Sequence, residues 1–534
     1  MGFNITEHIQ SIIYLLYLGI ILVALGIINI KVGKNSFSSL LLLAFGSFAI
    51  SQFVNLGNPF LHMWDEQVHA VVAKNMLHNP FKPMLIPDPV LPIDFKNWTG
   101  NHIWVHKQPL FLWQIALSYK LFGINLFALR FPSMLMFSLL VFPVYRIGRI
   151  ISTKETGIYA AAFLIGSNFI YQLVGGRMNT DHNDVSFLFY VTLSIWAWFE
   201  KENSGKRYWI VLIGIFSGAA ILNKWLVGLL VYAVWGLNTL IFRKKRRDLI
   251  SWAQMLVSFI ITLVVFLPWQ IYILKNFPVE SRYEFNYNSL HFFQSMEGHS
   301  GDMLYHFNKI ETLYGTDFQY VIIVSIIIFL ISKTKTWHKL GILTPILVVY
   351  FFFSMAATKM PAFPIIISPL VYIVVAVSVT TILKWLMAKN RILSKNKILG
   401  PFLGTAIALY IFFHFLNHDY LCLKNSDWNR RTSQKAVTLT EVYKDLPLII
   451  GDKKTMVYNA RNFDKLKIMF YTDYMARSGF PSKQDIKSLK EQNMGIFVFD
   501  NDKLPDYIIK DSTIAKIKSA VWQKNYEGQP KVYY

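Results

Sequence analysis

Residues 11–30 read SIIYLLYLGIILVALGIINI and contain no charged side chain. At about 1.5 Å per residue, a helix of this length crosses a hydrocarbon core of roughly 30 Å. A cleaved signal peptide fits poorly, because the apolar run is too long, lacks a basic segment before it and is followed by no small-residue cleavage site. We therefore expect a retained transmembrane helix.

The rest of the chain repeats such apolar blocks. Of its 534 residues, 54% are hydrophobic, and the mean hydropathy is +0.37. A soluble protein distributes its apolar residues periodically instead of in blocks. The blocks predict a polytopic α-helical membrane protein with about twelve spans, near residues 11–30, 37–56, 109–145 (a short helix and then a span), 156–173, 184–199, 208–222, 225–242, 250–274, 320–332, 339–356, 363–383 and 399–416.

The net charge of +22 raises the question of nucleic-acid binding. The basic residues are concentrated in short gaps between apolar blocks, as at Arg243–Arg247, and form no basic stripe interleaved with aromatics. Membrane orientation requires that placement, so we expect a lipid bilayer as partner and no nucleic acid. The single cysteine, Cys422, excludes an intrachain disulfide and a Cys-rich metal site.

The gaps alternate between basic-rich and basic-poor. The positive-inside rule assigns the basic-rich gaps to the cytoplasm. The long loops 57–108 and 275–319, and the short turns that hold Arg177, Lys224 and Lys359, are then outside. We expect residues 1–416 to form the transmembrane catalytic domain of a multi-pass inner-membrane protein whose motif loops are extracytoplasmic.

Residues 417–534 differ in composition and are also expected outside. Periodic runs follow one another here: Thr455–Asn459, Asp464–Tyr471, Gln484–Gln492, Ile496–Asp500 and Tyr507–Lys510. The second and third are typical of helices and the others of strands. The tail is therefore predicted to be a small C-terminal α/β domain.

The first long loop begins with Trp64-Asp65-Glu66-Gln67-Val68-His69, directly after a span. Adjacent carboxylates at a membrane surface suit a general base and a group that orients it. The structural alternative is a juxtamembrane helix running to about Leu77, since acidic residues favour a first turn. Asp65 and His69 are one turn apart, which permits two metal ligands, but two are too few for a site.

Cations recur in the other outer segments. The first loop ends in His106-Lys107-Gln108-Pro109, where Lys107 suits a phosphate at the lipid headgroup level. Lys224 and Lys359 occupy two short turns. Each lysine alone also fits an interfacial anchor, whereas together with Arg177 they predict a ring of cations around one site.

The turn near residues 174–183 is unusually rich in ionisable groups. It reads GGRMNTDHND from Gly175, so Asp181 and Asp184 would share a helix face. Ionisable residues this close to a membrane are costly and tend to be functional. A solvated turn is the alternative.

The second long loop brings further histidines and an acid: His291, Glu297, His299 and His306. With His106 or the first loop they would complete a divalent metal site, although the spacing matches no fixed zinc signature. No G-x-x-x-x-G-K-[ST] or G-x-G-x-x-G loop occurs, so no nucleotide is expected. A polyprenyl-phosphate-linked sugar suits an enzyme outside the cytoplasm, because its tail fits between lipid-facing helices and its phosphate is the leaving group.

In order along the chain, these motifs resemble those of the GT-C glycosyltransferases of the protein mannosyltransferase and aminoarabinose transferase (ArnT-like) superfamily. The resemblance covers roughly residues 60–380. Its pieces are Asp65-Glu66, Lys107-x-Pro109 with Leu110–Phe122 and Gly123, Arg130-Phe131-Pro132-Ser133, Arg177-Met178-Asn179-Thr180-Asp181, Leu222-Asn223-Lys224, Pro268-Trp269, Glu297-Gly298-His299 and Thr358-Lys359-Met360-Pro361. It implies a GT-C-like fold with juxtamembrane helices in the first outer loop.

The resemblance also implies roles for site residues. Asp65 would be the base that activates the acceptor, with Glu66 in support and Asp181 as a second carboxylate. The groups that would bind the lipid phosphate or the sugar are Lys107, Lys359, Arg177, Lys224 and His106. His299 would be the ligand of a divalent metal, if one joins the site.

The chain departs from the family pattern at several of these positions. His106 stands where glutamate is usual, and Gln108 where proline is common. Asn223 replaces a threonine, and Trp225 follows Lys224 where a glycine is common. A further span also precedes Asp65. The general chemistry is unaffected, but sugar identity and metal dependence stay open.

The sequence therefore predicts an inverting glycosyltransferase that uses a polyprenyl-phosphate-linked sugar and an extracytoplasmic acceptor, either a lipid A-type glycolipid or a protein hydroxyl. One alternative is a transporter, which would place its ionisable residues at mid-membrane on broken helices, often in repeated halves. The other is a non-catalytic envelope-assembly subunit. The clustered acids and bases at outer loop ends favour the enzyme.

Overall fold

The computed structural model describes residues 3–32, 36–177, 182–389, 399–424, 426–461, 463–501 and 503–527, and it is mostly helical. Its α-helices are Ile5–Val32, Ser36–Leu56, Asp65–Met76, Leu110–Phe122, Leu126–Leu139, Val141–Ile151, Lys154–Ile165, Asn168–Val174, His182–Ser204, Tyr208–Lys224, Leu230–Ile241, Arg243–Arg247, Leu249–Asn276, Pro278–Phe293, Tyr305–Asn308, Ile310–Tyr314, Phe318–Ile331, Thr336–Met355, Ser368–Lys389, Leu399–Phe415, His418–Leu421, Asp427–Lys444, Leu446–Ile450, Asp464–Tyr471, Lys483–Glu491, Asp506–Ile509 and Ala520–Glu527. Trp225–Leu229 and Phe363–Ile367 are 3-10 helices.

The protein is a multi-pass membrane protein. Within the residues just given, seven stretches are long and apolar enough to cross a membrane, or eight if the bent pair Lys154–Ile165 and Asn168–Val174 is one span. The first stretch, Ile5–Ile30, contains the opening apolar block. The count is lower than the number of predicted blocks partly because the blocks 208–222 and 225–242 are counted once, as Tyr208–Ile241. Other blocks form short helices; Phe318–Ile331, for example, has only 14 residues.

The apolar stretch Tyr208–Ile241 folds back on itself. The Ser217 hydroxyl donates to the carbonyl oxygen of Gly228 at 2.7 Å, although the two residues are eleven apart in sequence. A straight helix would separate them by about 16 Å at 1.5 Å per residue. The reversal lies at the short turn predicted at residues 223–224, so Lys224 is at the tip of a helical hairpin.

The first two helices pack closely through glycines. A Cβ atom on Gly46 would lie 2.8 Å from the carbonyl oxygen of Gly19, and one on Gly19 would lie 2.8 Å from that of Gly46. In lipid, where helix association gains little from the hydrophobic effect, small residues allow this close backbone approach. The second helix ends at Leu56, so this pair supports the start of the first motif loop.

The loops that carry the motifs lie together on one face. Asp65 and Lys107, near the two ends of the first loop, form an ion pair. Lys224 pairs with Asp184, and the backbone N–H of Lys359 donates to the carbonyl of His299 in the second long loop. Basic gaps contact one another elsewhere, where Lys245 pairs with Glu202.

The C-terminal region forms a parallel sheet of four strands, β1 (Thr455–Ala460), β2 (Met475–Ser478), β3 (Gly495–Phe499) and β4 (Ile514–Ile517), in the order β2-β1-β3-β4. All six residues of β1 are buried, as expected for a central parallel strand. The predicted α/β character is confirmed.

One predicted strand in this region is wrong. Tyr507–Lys510 belongs to the short helix Asp506–Ile509 instead. Pro505 precedes that helix and Asp506 lies in its first turn, two features that favour a helix N-terminus over a strand.

The C-terminal domain and the first loop share a hydrophobic core. Val68, Val71 and Trp104 of the loop pack in one cluster with Val457 and Leu466 of the domain. The loop helix Asp65–Met76 is therefore buried between the membrane helices and the C-terminal domain.

A lysine strengthens that junction. The Lys74 ammonium donates to the carbonyls of Met469, Phe470 and Thr472, at 3.0, 3.4 and 2.7 Å, at the C-terminal end of the helix Asp464–Tyr471. A cation at a helix C-terminus is favourable because the helix dipole is negative there.

We expect Gly46→Val to lower the thermal stability of the protein, because overpacking costs about 1–3 kcal/mol and the added side chain would meet a backbone carbonyl. Unfolding can be followed with a thiol-reactive fluorophore, since the single cysteine, Cys422, is buried. Gly236→Val is the matched control, because nothing lies within 4 Å of a Cβ at Gly236. An equal shift in melting temperature for both variants would contradict the packing argument.

Candidate active site

The centre of the site is the pair formed by Asp65 and Lys107. The Lys107 ammonium lies 3.9 Å from the Asp65 carboxylate, and their side chains are 23% and 13% exposed. Asp65 is the first residue of the helix Asp65–Met76, as the helix-start interpretation of this motif expects, and its place in the helix is compatible with the catalytic interpretation. Both groups are shielded from bulk water but still open to a ligand.

The backbone before Asp65 is strained. Trp64 has φ 74°, in the left-handed region that a non-glycine residue rarely adopts. Its ring packs 4.8 Å from the ring of Phe463 in the C-terminal domain. Packing against that domain therefore helps to hold the backbone conformation of Trp64, which sets the position of Asp65.

Four carboxylates surround Lys107. Burial alone would lower the pKa of Lys107, but Asp65, Glu297, Asp184 and Glu284, in that order of influence, raise it above the usual value. The ammonium therefore stays charged over the physiological range. Residues from the first loop, the turn after residue 181 and the second long loop thus meet at one cation.

A second ion pair lies in the same cluster. The Lys224 ammonium donates to the Asp184 carboxylate at 2.6 Å and lies 5.1 Å from the centre of the Phe363 ring. Asp184 is 1% exposed, and its second oxygen has no hydrogen-bond partner among the residues that the structure describes. That oxygen is a buried acceptor without a donor.

The residue after Lys224 explains one departure from the family pattern. Trp225 has φ 57°, a conformation that glycine adopts without strain. The turn evidently keeps this backbone geometry although a tryptophan occupies the position. Its ring packs against Phe285, 4.9 Å between centroids, and that contact offsets part of the strain.

The second long loop covers the cluster. Tyr287 donates its hydroxyl to Glu297 at 2.9 Å. Burial would raise the pKa of Glu297, but Lys107 and this hydrogen bond bring it below its usual value, so the group is a carboxylate. His106 pairs with Glu284 at 2.8 Å, which ties the end of the first loop to the second loop.

Glu66 has a different environment from its neighbour Asp65. Glu66 and Arg130 are 0% exposed and form a two-point ion pair, Nε to Oε1 at 2.8 Å and a terminal guanidinium nitrogen to Oε2 at 3.2 Å. Arg130 also donates to the backbone carbonyls of Asn58 and Phe60 at 2.7 and 2.8 Å. The pair fastens the start of the first loop to the span Leu126–Ile151.

The surroundings keep Glu66 ionised. Burial would raise its pKa, but the charge of Arg130 and hydrogen bonds from His182 and Arg130 bring it below the usual value. Gly176 lies against the carboxylate with φ 72°, and a Cβ there would overlap it. Only glycine fits, which accounts for Gly175-Gly176 in the motif.

The remaining predicted cations have other contacts. Arg177 donates to the side-chain oxygen of Asn58 at 2.9 Å and lies over the Tyr420 ring. The Lys359 ammonium is buried and donates to the carbonyls of Phe353 and Ser354, at the end of a helix. The ring of cations is therefore not a single cluster: Lys107 and Lys224 share one, whereas Arg177 and Lys359 contact other groups.

Two further predicted site residues are Asp181 and His299. Asp181 lies outside the described residues. His299 contributes its backbone carbonyl to Lys359, 3.1 Å from the amide nitrogen. Within the described part of the chain, no three His, Cys, Asp or Glu side chains are placed to bind a metal, so these residues do not fit a zinc-type site.

Sequence reasoning gave no role to Arg130, Asp184 or Glu284. Arg130 is a charge inside a predicted apolar block, and an ionisable residue there requires a buried partner. That signal pointed to Arg130 but not to Glu66 as its partner. The ionisable character of its turn was the signal for Asp184, but it did not indicate Lys224 as the partner. Glu284 had no signal, because its contacts join loops distant in sequence.

The comparisons with known proteins agree with this architecture. The family model described as dolichyl-phosphate-mannose-protein mannosyltransferase matches residues 106–272. A relative from Pseudomonas aeruginosa, named undecaprenyl phosphate-alpha-4-amino-4-deoxy-L-arabinose arabinosyl transferase, is 28% identical over 240 residues, which cover 43% of this chain and 39% of the relative. The first relatives are thus matched over about two fifths of their length. A like-named protein of Pseudomonas fluorescens is 24% identical over 68% of this chain and 63% of its own.

Solved structures show the fold. The apo crystal structure of ArnT from Cupriavidus metallidurans superimposes with a TM-score of 0.60 at 15% identity, covering 86% of this chain and 89% of that one. The same protein bound to undecaprenyl phosphate gives 0.60 at 14% identity, covering 85% and 88%. An oligosaccharyltransferase from Archaeoglobus fulgidus gives 0.54 at 14% identity, covering 86% and 69%. The predicted resemblance and the GT-C-like fold are confirmed.

Breaking the buried ion pair should destabilise the protein strongly. We expect Arg130→Met to cost about 3–5 kcal/mol, because it leaves the Glu66 carboxylate buried without a counter-charge. The measurement is thermal unfolding with labelling of Cys422. Lys444→Met is the control, because it breaks the exposed pair with Glu441 and should cost at most about 1 kcal/mol. Equal losses would mean that the buried pair is not a structural anchor.

Proposed function

We propose that the protein is a membrane glycosyltransferase that moves a sugar from a polyprenyl-phosphate-linked donor to an acceptor hydroxyl. The observation that carries this proposal is the pairing of Asp65 with Lys107 in a shielded site. The pair places a carboxylate that can act as a base next to an ammonium group that can bind a phosphate. A solved protein of the same fold binds undecaprenyl phosphate, and the curated relatives carry the name of a transferase for an undecaprenyl-phosphate sugar. These likenesses support transfer over the transporter and the assembly-subunit alternatives.

The reaction follows from the chemistry of the pair. The donor phosphate takes the place of the Asp65 carboxylate beside Lys107, which frees Asp65 to accept a proton. The acceptor hydroxyl transfers its proton to Asp65 as its oxygen bonds to the anomeric carbon, and the bond from that carbon to the phosphate oxygen breaks with inversion. The departing oxygen keeps the electron pair, and the Lys107 ammonium stabilises its charge.

Asp184 and Lys224 suit the sugar. The buried second oxygen of Asp184, which has no partner among the described residues, accepts a hydrogen bond from a sugar hydroxyl when the donor enters, while Lys224 holds the carboxylate in position. Glu66 supports Asp65 indirectly, through the ion pair that fixes the start of its helix. Arg177 and Lys359 add positive charge outside the cluster of Lys107 and Lys224.

The site faces the extracytoplasmic side of the inner membrane in this proposal. The basic-rich gaps on the opposite side support that orientation through the positive-inside rule. The acceptor is then a glycolipid of the lipid A type or a protein hydroxyl. No step is assigned to a metal, because His299 lacks fellow ligands among the described residues.

Replacing the base should remove activity without unfolding the protein. We expect Asp65→Asn to slow transfer by about 10²–10⁴-fold, the usual contribution of general-base catalysis. The assay measures release of undecaprenyl phosphate from undecaprenyl-phosphate-linked sugars incubated with envelope glycolipids, a product common to every sugar and acceptor. Asp88→Asn, an exposed position in the same loop, is the control. Wild-type rates for Asp65→Asn would remove this residue from its role.

Replacing the cation should act on the donor. We expect Lys107→Gln to weaken donor binding by roughly tenfold or more, the loss of one charge-assisted hydrogen bond. The measurement is the concentration of undecaprenyl phosphate that half-saturates the protein in nanodiscs. Lys96→Gln, which removes an exposed charge from the same loop, should change little. An unaltered affinity for Lys107→Gln would rule out a phosphate contact there.

A further inference from the structure

A polar cavity lies where the first long loop meets the C-terminal domain. Its volume is about 270 Å³. The loop contributes Asn97, Thr99 and Gly100 to its wall, and the domain contributes Lys465, Arg477 and Ser478. Amide, hydroxyl and backbone groups thus surround two cations.

The two cations form no ion pair with any residue that the structure describes. Within the described residues, neither Lys465 nor Arg477 forms a salt bridge with a carboxylate. Lys465 has a long hydrogen bond to the Thr99 hydroxyl, 3.5 Å, and Arg477 donates to the Pro92 carbonyl at 2.9 Å. Asp94 also lines the cavity, but its carboxylate is exposed and accepts from the backbone N–H of Lys96.

Placing Lys465 and Arg477 in the same cavity is electrostatically unfavourable, and the pKa of Lys465 reflects this. Burial, and then the nearby charge of Arg477, lower the pKa of Lys465 to about 8. Two like charges held together in a partly buried space destabilise each other. An anion between them would remove that repulsion and form charge-assisted hydrogen bonds with both.

We propose that this cavity binds an anionic group, a phosphate or a carboxylate, on the saccharide part of the acceptor. The assignment to the acceptor rests on the proposed function, because the donor phosphate is already assigned to Lys107. Arg477 provides a planar fork for the two oxygens of the anion, and Lys465 provides a point charge. The amide and hydroxyl groups of Asn97, Thr99 and Ser478 bond to neighbouring sugar hydroxyls.

The cavity is coupled to the active site through its own walls. Trp98, between Asn97 and Thr99, stacks on the His106 ring with 5.8 Å between centroids, and His106 precedes Lys107. On the other side, Lys465 is on the helix whose C-terminal carbonyls bind Lys74, and Lys74 is on the helix that starts with Asp65. A bound acceptor would therefore contact two segments, each of which packs against a segment that carries one member of the Asp65–Lys107 pair.

The test uses the full-length protein in nanodiscs, without donor, and saturation-transfer NMR. The probes are glucose 1-phosphate and glucuronate, which separate a phosphate from a carboxylate, and neutral glucose. We expect Lys465→Gln and Arg477→Gln each to weaken binding of one or both anionic probes by about tenfold, with glucose unaffected. Lys465→Arg keeps the charge and should keep most of the binding. Lys487→Gln is the control, because it removes an exposed charge from the same domain.

Several outcomes would overturn the proposal. They are no binding of either anionic probe to the wild-type protein, equal binding of glucose, or equal weakening by Lys487→Gln. Loss of probe binding in Lys107→Gln with none in Lys465→Gln would place the anion in the active site instead. Because donor is absent, this result does not depend on whether the protein transfers sugar, so failure of the site and failure of the proposed function are distinguishable.

Discussion

Glu66 and Arg130 form an ion pair from which water is excluded, and most of the site depends on it. Two charges buried in a medium of low dielectric are stable only when each satisfies the other and their remaining polar atoms have partners. Arg130 meets that condition by binding the carboxylate at two points and the backbone carbonyls of Asn58 and Phe60. The pair thereby fixes the chain between the second helix and Asp65 in one geometry.

Backbone strain occurs at three positions in or beside the candidate site. Trp64, Trp225 and Glu297 all have positive φ, and each is a site residue or adjoins one. Such conformations cost of order 1–3 kcal/mol each and persist only where packing imposes them. The aromatic contacts of Trp64 with Phe463 and of Trp225 with Phe285 provide that packing. Side chains of the candidate site that strained residues hold in place are positioned before a ligand arrives, which lowers the cost of binding it.

The C-terminal domain is structurally part of the active site. Its helix Asp464–Tyr471 packs in the same core as the loop helix Asp65–Met76 and receives Lys74 at its C-terminal end. Phe463, directly before that helix, packs against Trp64. The membrane helices alone would leave Asp65 supported on one side. The domain provides the second side, and Lys465 and Arg477 of the domain line the neighbouring polar cavity.

The sequence by itself determined the membrane character, the GT-C resemblance, the α/β tail and the residues Asp65, Lys107 and Lys224 of the site. These follow from apolar block length, charge placement and local motifs, which act over short distances along the chain. Tertiary structure alone decided that Glu66 turns inward to Arg130, that Asp184 joins Lys107 and Lys224, and that Lys359 binds helix carbonyls instead. Those outcomes depend on which loops meet in the folded chain. A buried charge needs a partner of opposite charge or a hydrogen-bonding group, and local sequence patterns do not specify which residue will be close enough to provide it.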